Sequence, residues 1–187
     1  MKCPFGPKQA HPAQLTYTPD DVRRLWDTGV KFSTDANARP HKREPPTPVE
    51  VKILESGEGA LKEMWEAPIC LMTKRLLAGL REAGVANIDD YEATLLDLNT
   101  GKAHDNYVAF NIVGIVAATD HAKSVYEADI HWFDKLALDE SAAREALLFR
   151  LKESTFRILV HEKVKDHLQA AGFDTLQFID PDKLTNQ

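Results

Sequence analysis

The fold is decided by two similar stretches, ICLMTKRLLAGLREAG at residues 69–84 and RILVHEKVKDHLQAAG at residues 157–172. Each begins with a short apolar run typical of a β-strand and continues with apolar residues at helical spacing. Each ends in Gly, where a helix commonly closes with a left-handed turn. The pattern predicts helices at 73–83 and 161–171, each followed by a second strand, at 88–91 and 176–179.

The two predicted helices present matching apolar stripes and different N-caps. Leu76 and Leu80 in the first helix correspond to Val164 and Leu168 in the second, so we expect the helices to pack through these side chains. Thr73 is a favoured cap because its hydroxyl accepts a backbone hydrogen bond, and His161 is a poorer one.

The middle of the chain has the composition of β-structure. Residues 93–98 and 106–118 flank the turn sequence NTGK at 99–102, which predicts an antiparallel hairpin. Gly114 interrupts the second strand and indicates a bulge or the close approach of another backbone. Farther on we expect a loop at 119–127, a strand at about 129–138 and a short helix opened by Asp139.

These elements together predict an α+β fold with a mixed, mainly antiparallel sheet, flanking helices and two similar strand-helix-strand units. The N-terminal part differs, because eight of the ten prolines lie in residues 1–48. Proline lacks a backbone donor and disfavours continuous helix or central strand. We therefore expect a Pro-rich extension over residues 1–48, with one short helix at 18–26, and a domain over residues 49–187.

Residues 68–181 resemble the myxobacterial-type immunity domain family of bacterial polymorphic toxin systems, formerly described as a domain of unknown function. The likeness rests on the two helices ending in Leu-x-x-Ala-Gly, on an acidic turn from Asp120 to Ser124, and on three further segments: YVAFNIVGIVA at 107–117, LFRL at 148–151 and GFDTLQF at 172–178. The chain departs from that family at His161, where Ser is common, and at Thr175, where Gly is common. The resemblance implies a non-catalytic immunity protein that binds and neutralises a cognate toxin from the same or a kin cell.

Length and composition agree with one ordinary domain core, since 43% of the 187 residues are hydrophobic. No apolar run approaches the roughly 20 residues of a membrane span, and the N-terminus lacks the apolar segment of a signal peptide. Cys3 and Cys70 are expected to be free thiols, so the sequence predicts a cytoplasmic protein with no membrane partner.

Charge separates the two parts of the chain. Residues 1–48 hold 8 Lys and Arg against 5 Asp and Glu, which leaves 15 against 24 in residues 49–187, a formal charge of −9. An acidic surface repels nucleic acid and attracts basic proteins, although acidic surfaces are also common on soluble proteins. The charge therefore argues against nucleic acid as the partner and is compatible with a basic toxin.

Catalytic and metal-binding motifs are weak. His161 and Glu162 begin like a zinc-protease motif, but His167 follows six residues after His161, where two ligands on one helical face require a spacing of four. Asp129 and His131 could share a strand face with His121 nearby, and Cys70 lies within an apolar strand. We expect no catalytic residue, metal or cofactor; the alternative is an enzyme of unrecognised, hydrolase-like type that uses histidines and carboxylates.

The segment from Asp120 to Asp134 combines large aromatic residues with carboxylates, as partner-binding surfaces do. Ile130 and Trp132 alternate as a strand does and are expected to point into the core. The residues predicted to contact a partner are Asp120, Tyr126, Glu127, Asp129 and Asp134.

Overall fold

A computed structural model describes residues 13–17, 26–55, 61–127, 129 and 132–183 of the chain. Its strands are β1 (Gln14–Thr16), β2 (Val49–Glu55), β3 (Met64–Trp65), β4 (Leu71–Thr73), β5 (Ile88–Asp97), β6 (Ala103–Ile112), β7 (Ile115–Val116), β8 (Val125–Glu127), β9 (Trp132–Lys135), β10 (Leu148–Leu151) and β11 (Ser154–Val160). Its α-helices are α1 (Lys74–Glu82), α2 (Glu140–Ala143) and α3 (Glu162–Ala170).

The strands form three sheets. The main sheet has the order β1-β2-β5-β6-β4-β3, in which β2 and β5 are parallel and the other neighbours are antiparallel. A second sheet has the order β11-β10-β7, and β8 and β9 form a separate antiparallel pair. This arrangement confirms the predicted α+β class with a mixed, mainly antiparallel sheet. Within the described ranges no helix has the length and apolar character that crossing a membrane requires.

Both predicted strand-helix steps are present. At the start of α1 the Thr73 hydroxyl accepts the Leu76 amide at 3.1 Å, and at the start of α3 the His161 Nδ1 accepts the Lys163 amide at 3.1 Å. Gly84 and Gly172 follow the two helices with φ of 96° and 75°. The stripe residues confirm the expected packing, since all belong to one buried cluster: Leu76, Leu80, Val164 and Leu168.

Of the two strand-helix units, only the first continues into a strand as predicted. After α1 the chain enters β5, but residues 176–179 after α3 contain only an isolated bridge at Gln177, so the predicted strand there is wrong. The reason is the burial of Phe173 and Leu176, which turns the chain back onto the helices. The Phe173 ring packs against Gly79 of α1, where a Cβ would lie only 2.9 Å from the ring.

The predicted hairpin is β5 and β6, closed by a hydrogen bond from the Asp97 amide to the Lys102 carbonyl at 2.8 Å. The predicted close approach at Gly114 is confirmed too, because its amide donates to the Gly29 carbonyl at 2.8 Å between β6 and β7. Gly114 has a φ of 107°, a conformation that other residues adopt only with strain.

The N-terminal segment packs on the sheets. Trp26 and Phe32 lie in the main core and make edge contacts with each other and with Tyr91 of β5. The buried guanidinium of Arg150 donates to the Trp26 carbonyl at 3.2 Å. Most of the predicted helix at 18–26 lies outside the described residues, and the division of the chain at residue 48 stays a prediction.

The second sheet separates two apolar cores. Leu148 and Ile158 face the main core, whereas the alternating residues Phe149, Leu151 and Leu159 belong to a smaller core. The smaller core also contains Ala118, Phe133 of β9 and Leu136 directly after β9. The pair β8 and β9 therefore rests on the smaller core.

Candidate functional site

The segment from Asp120 to Asp134 forms a β-hairpin where a loop and one longer strand were expected. The expected loop at 119–127 contains β8, and the described strand after it is limited to β9. In the pairing of these strands Tyr126 lies opposite Phe133 and Glu127 lies opposite Trp132. Cross-strand neighbours project to the same face of a pair, so the register decides which side chains meet.

The inward face of this hairpin holds Phe133, not Trp132 as predicted. Phe133 is fully buried in the smaller core, and its ring stacks on that of Tyr126 with centroids 4.4 Å apart. Trp132 is only partly buried on the opposite face. A one-residue shift in strand phase exchanges the two faces, and here the contact with Tyr126 decides the phase. Ile130 lies outside the described residues.

The outward face combines carboxylates with the indole. Glu127 lies opposite Trp132, and Asp134 follows Trp132 by two residues, so all three share this face. Glu127, Asp129 and Asp134 are exposed. We call the set Glu127, Asp129, Trp132 and Asp134 the acidic hairpin surface.

Two of the residues predicted to contact a partner, Tyr126 and Asp120, also form contacts within the chain. The Tyr126 hydroxyl donates to the Glu153 carbonyl at 2.8 Å, which fixes the ring at the edge of the smaller core. The Asp120 carboxylate lies 2.8 Å from the Lys123 ammonium and accepts the Ala122 amide at 3.1 Å. The hydrogen bond from Lys123 lowers the pKa of Asp120, so this carboxylate stays ionised while it holds the turn before β8.

A cation that the sequence patterns did not indicate lies beside this hairpin. The guanidinium carbon of Arg157 in β11 lies 5.7 Å from the Phe133 ring centroid and 5.4 Å from that of Phe156. Phe156 is 48% exposed. Burial lowers the pKa of Arg157 from its ordinary value. Only the adjacency of Phe and Arg in a predicted strand could have indicated this contact, and that adjacency is common.

The histidines that were considered as metal ligands have other neighbours. His121 Nε2 lies 3.7 Å from a carboxylate oxygen of Glu153, and its ring is 6.3 Å from that of Tyr126. In the part of the chain that the structure describes, no three His, Cys, Asp or Glu side chains are grouped to hold a metal ion. His131 is outside that part, so the absence of a metal site stays a prediction.

Cys70 is buried, as its place in an apolar stretch predicted. Its side chain is 2% exposed, and burial raises its pKa to about 11 although the neighbouring Arg150 acts in the opposite direction. Arg150 Nη2 lies 3.4 Å from the sulfur. A protonated, buried thiol is a poor nucleophile, so Cys70 acts as a core residue.

A groove of about 730 Å³ lies between α2, the β10–β11 pair and the start of α3. Its floor is apolar, with Phe149, Leu159 and Phe178, and its rim carries both Arg144 and Glu162. Because the rim has both signs of charge, the groove sets no preference for a charged partner. The acidic hairpin surface, by contrast, favours a positively charged partner.

Comparison with known protein families identifies the group to which this chain belongs. The model of the immunity protein family Imm11 matches residues 8–183, nearly the whole chain. The chain is therefore a member of the Imm11 immunity protein family. A search of curated proteins found no match.

Proposed function

We propose that this Imm11-family chain protects a bacterial cell by binding one cognate toxin domain and covering the surface that the toxin needs for its activity. Membership of an immunity protein family is the observation that carries the proposal. Inhibition by occlusion requires a stable scaffold and a complementary surface and no reaction of its own. The protein would therefore act stoichiometrically, with neither a catalytic residue nor a cofactor.

The acidic hairpin surface is our proposal for part of the toxin contact. Its three carboxylates are exposed, and they lie beside a partly buried indole that can contribute apolar contact area. Interfaces concentrate binding energy in such aromatic side chains, while charges around them steer the partner. The formal charge of −9 over residues 49–187 has the same sign as this surface and would attract a basic toxin.

The experiment that tests the function is co-expression with the toxin encoded beside its gene. Protection from that toxin, failure to protect from unrelated toxins, and a stable complex in solution are the expected results. The association rate should fall as salt rises, more than the dissociation rate changes, because salt screens the steering field. Failure to bind any toxin encoded beside the gene would contradict the proposed function.

The proposed surface is tested by reversing its charges together, in Glu127→Lys, Asp129→Lys and Asp134→Lys. A matched control reverses three exposed carboxylates elsewhere, in Glu50→Lys, Asp105→Lys and Asp174→Lys. Both triple variants change the net charge equally, so a loss of protection in the hairpin variant alone supports this surface. Full protection by a folded hairpin variant would show that the toxin binds elsewhere, with the function intact.

A further inference from the structure

Phe156 and Arg157 are neighbours in β11, and the Arg157 guanidinium contacts the β8–β9 hairpin through the ring of Phe133. Phe156 is the one aromatic residue among the exposed large apolar side chains of the described chain. Arg157 is partly buried between Phe156 and Phe133, and Phe133 lies next to Trp132 and Asp134 in sequence. Arg157 therefore lies against the hairpin that carries the acidic surface, on the side of Phe133.

The guanidinium of Arg157 lacks the contacts that normally accompany a partly buried arginine. Its Nε is shielded from solvent and has no hydrogen-bond acceptor, and none of the described carboxylates lies within ion-pair distance of the group. A shielded donor without an acceptor costs free energy in the isolated protein.

Arg75 is a guanidinium of the same protein that has hydrogen-bond acceptors. It lies 4.0 Å above the Phe173 ring, forms an ion pair with Glu63 at 2.8 Å, and donates to the carbonyls of Ala171 and Gly172 at 3.0 and 3.1 Å. Arg157 has the aromatic contacts, but none of the described residues supplies an acceptor to its Nε. A planar guanidinium donates two parallel hydrogen bonds to a carboxylate, which fixes the orientation of the partner.

We propose that Phe156 and Arg157 form an anchor for the toxin, in which Phe156 contacts an apolar side chain and Arg157 binds an aspartate or glutamate carboxylate. This inference rests on the proposed function and specifies the partner of that same surface. A carboxylate of a protein fits better than a phosphate of a nucleic acid, because the acidic domain around Arg157 repels a polyanion. The toxin would then present basic residues to the hairpin and one acidic residue to Arg157.

The presence of both negative and positive side chains restricts which charge pattern on a partner can fit. A partner that is basic throughout would find Arg157 repulsive, and a partner that is acidic throughout would be repelled by Glu127, Asp129 and Asp134. Only a surface with both signs at the right separation matches, which is how charge patterns discriminate among related partners. The anchor would therefore contribute to recognition of one toxin among similar ones.

The test measures binding of the full-length chain to a catalytically inactivated form of the toxin domain encoded beside its gene. Arg157→Met should raise Kd by about 30-fold or more, mainly through faster dissociation, as loss of a central interface arginine does. Arg157→Lys should recover part of the affinity, and Phe156→Ala should weaken binding. Arg144→Met, which changes an exposed arginine on the rim of the groove, is the matched control and should leave Kd unchanged.

The outcomes separate this inference from the proposed function. If the unmodified chain binds no toxin, the function fails and the anchor with it. If the unmodified chain binds and folded Arg157→Met and Phe156→Ala bind equally well, the anchor alone is overturned. If Arg157→Met does not fold, Arg157→Lys and Phe156→Ala decide the matter, with melting temperature as the check on folding. Restored binding of Arg157→Glu by an acid-to-arginine change in the toxin would identify the paired carboxylate.

Discussion

Arg75 and Arg157 both lie against phenylalanine rings, but the hydrogen bonding of their guanidinium groups differs. Around α1 the neighbouring charges are also paired, with Lys74 at 2.6 Å from Glu92 and Arg81 at 2.5 Å from Asp90. Beside the β8–β9 hairpin, the shielded Nε of Arg157 has no hydrogen-bond acceptor. The arginine at the helix end therefore joins parts of the fold through its hydrogen bonds, whereas the arginine at the hairpin end contacts the fold through aromatic rings.

The largest expected effect is the loss of a core side chain at the helix end. Leu80→Ala should lower the free energy of unfolding by about 2–5 kcal/mol. Leu80 of α1 is fully buried in the main core, so its truncation to Ala leaves a cavity. Val125→Ala at the hairpin, where the side chain is 53% exposed, should change it by less than about 0.5 kcal/mol. Denaturant titration of both variants measures the difference; equal losses would mean that the hairpin contributes as much to stability as the helices.

The next effect concerns the two glycines that end α1 and α3. Gly84→Val and Gly172→Val should each cost about 1 kcal/mol or more, since both positions have positive φ. Gly84→Val should cost more, because a Cβ there would lie 3.3 Å from Leu147 Cδ1, against 3.8 Å from the flexible end of Arg75 at Gly172. Thermal melts of both variants provide the test, and unchanged melting of both would remove the basis for comparing the two strand-helix units.

A smaller effect distinguishes the two arginines directly. Arg75→Met should destabilise the protein by about 1 kcal/mol, because the carbonyls of Ala171 and Gly172 and the carboxylate of Glu63 lose a donor. Arg157→Met should stay within about 0.5 kcal/mol of the unmodified protein, since the Arg157 Nε has no acceptor among the described residues and a Met side chain keeps apolar contact with the Phe rings. A larger loss of stability for Arg157→Met than for Arg75→Met would contradict this prediction, because it would show that Arg157 contributes more to the fold than Arg75.

The last comparison concerns the two helix caps, where one effect is similar in size and the other is smaller. Thr73→Ala should cost about 1 kcal/mol, because the hydroxyl both accepts the Leu76 amide and donates to Glu63. His161→Ala should cost only a few tenths of a kcal/mol, since the imidazole is exposed and its cap is a single bond to Lys163. His161→Ser should stabilise α3 slightly. Urea unfolding curves for the three variants would show whether the order of the caps is right.

The exposure of the candidate surface residues could be predicted from the sequence, whereas their tertiary contacts could not. Glu127, Asp129 and Asp134 are exposed in or beside a hairpin, as their charge suggested, although their role in binding stays a prediction. Tyr126 and Asp120 also form contacts within the chain, with Glu153 and Lys123, and their role in binding stays a prediction as well. The contact of Tyr126 joins residues 27 positions apart and depends on the fold, whereas that of Asp120 is local in sequence. Arg157 was missed because a guanidinium without an acceptor can be recognised only after its neighbours are known.

Short sequence patterns are enough to predict the elements that depend on interactions between residues close in sequence. The spacing of apolar residues, the cap at Thr73 and the glycines at 84 and 172 define α1 and α3, because backbone hydrogen bonds and positive φ depend on nearby residues. The turn at 99–102 defines the β5–β6 hairpin for the same reason.

Tertiary packing decided what depends on distant contacts. The phase of β9 follows from the stacking of Phe133 on Tyr126, and the turn of the chain after Gly172 follows from the burial of Phe173 against Gly79. The same holds for the missing partners of Arg157, since the hairpin that shields its guanidinium comes from another part of the chain. A sequence pattern records the polarity of each residue, but the free energy of packing depends on which side chains the fold places together.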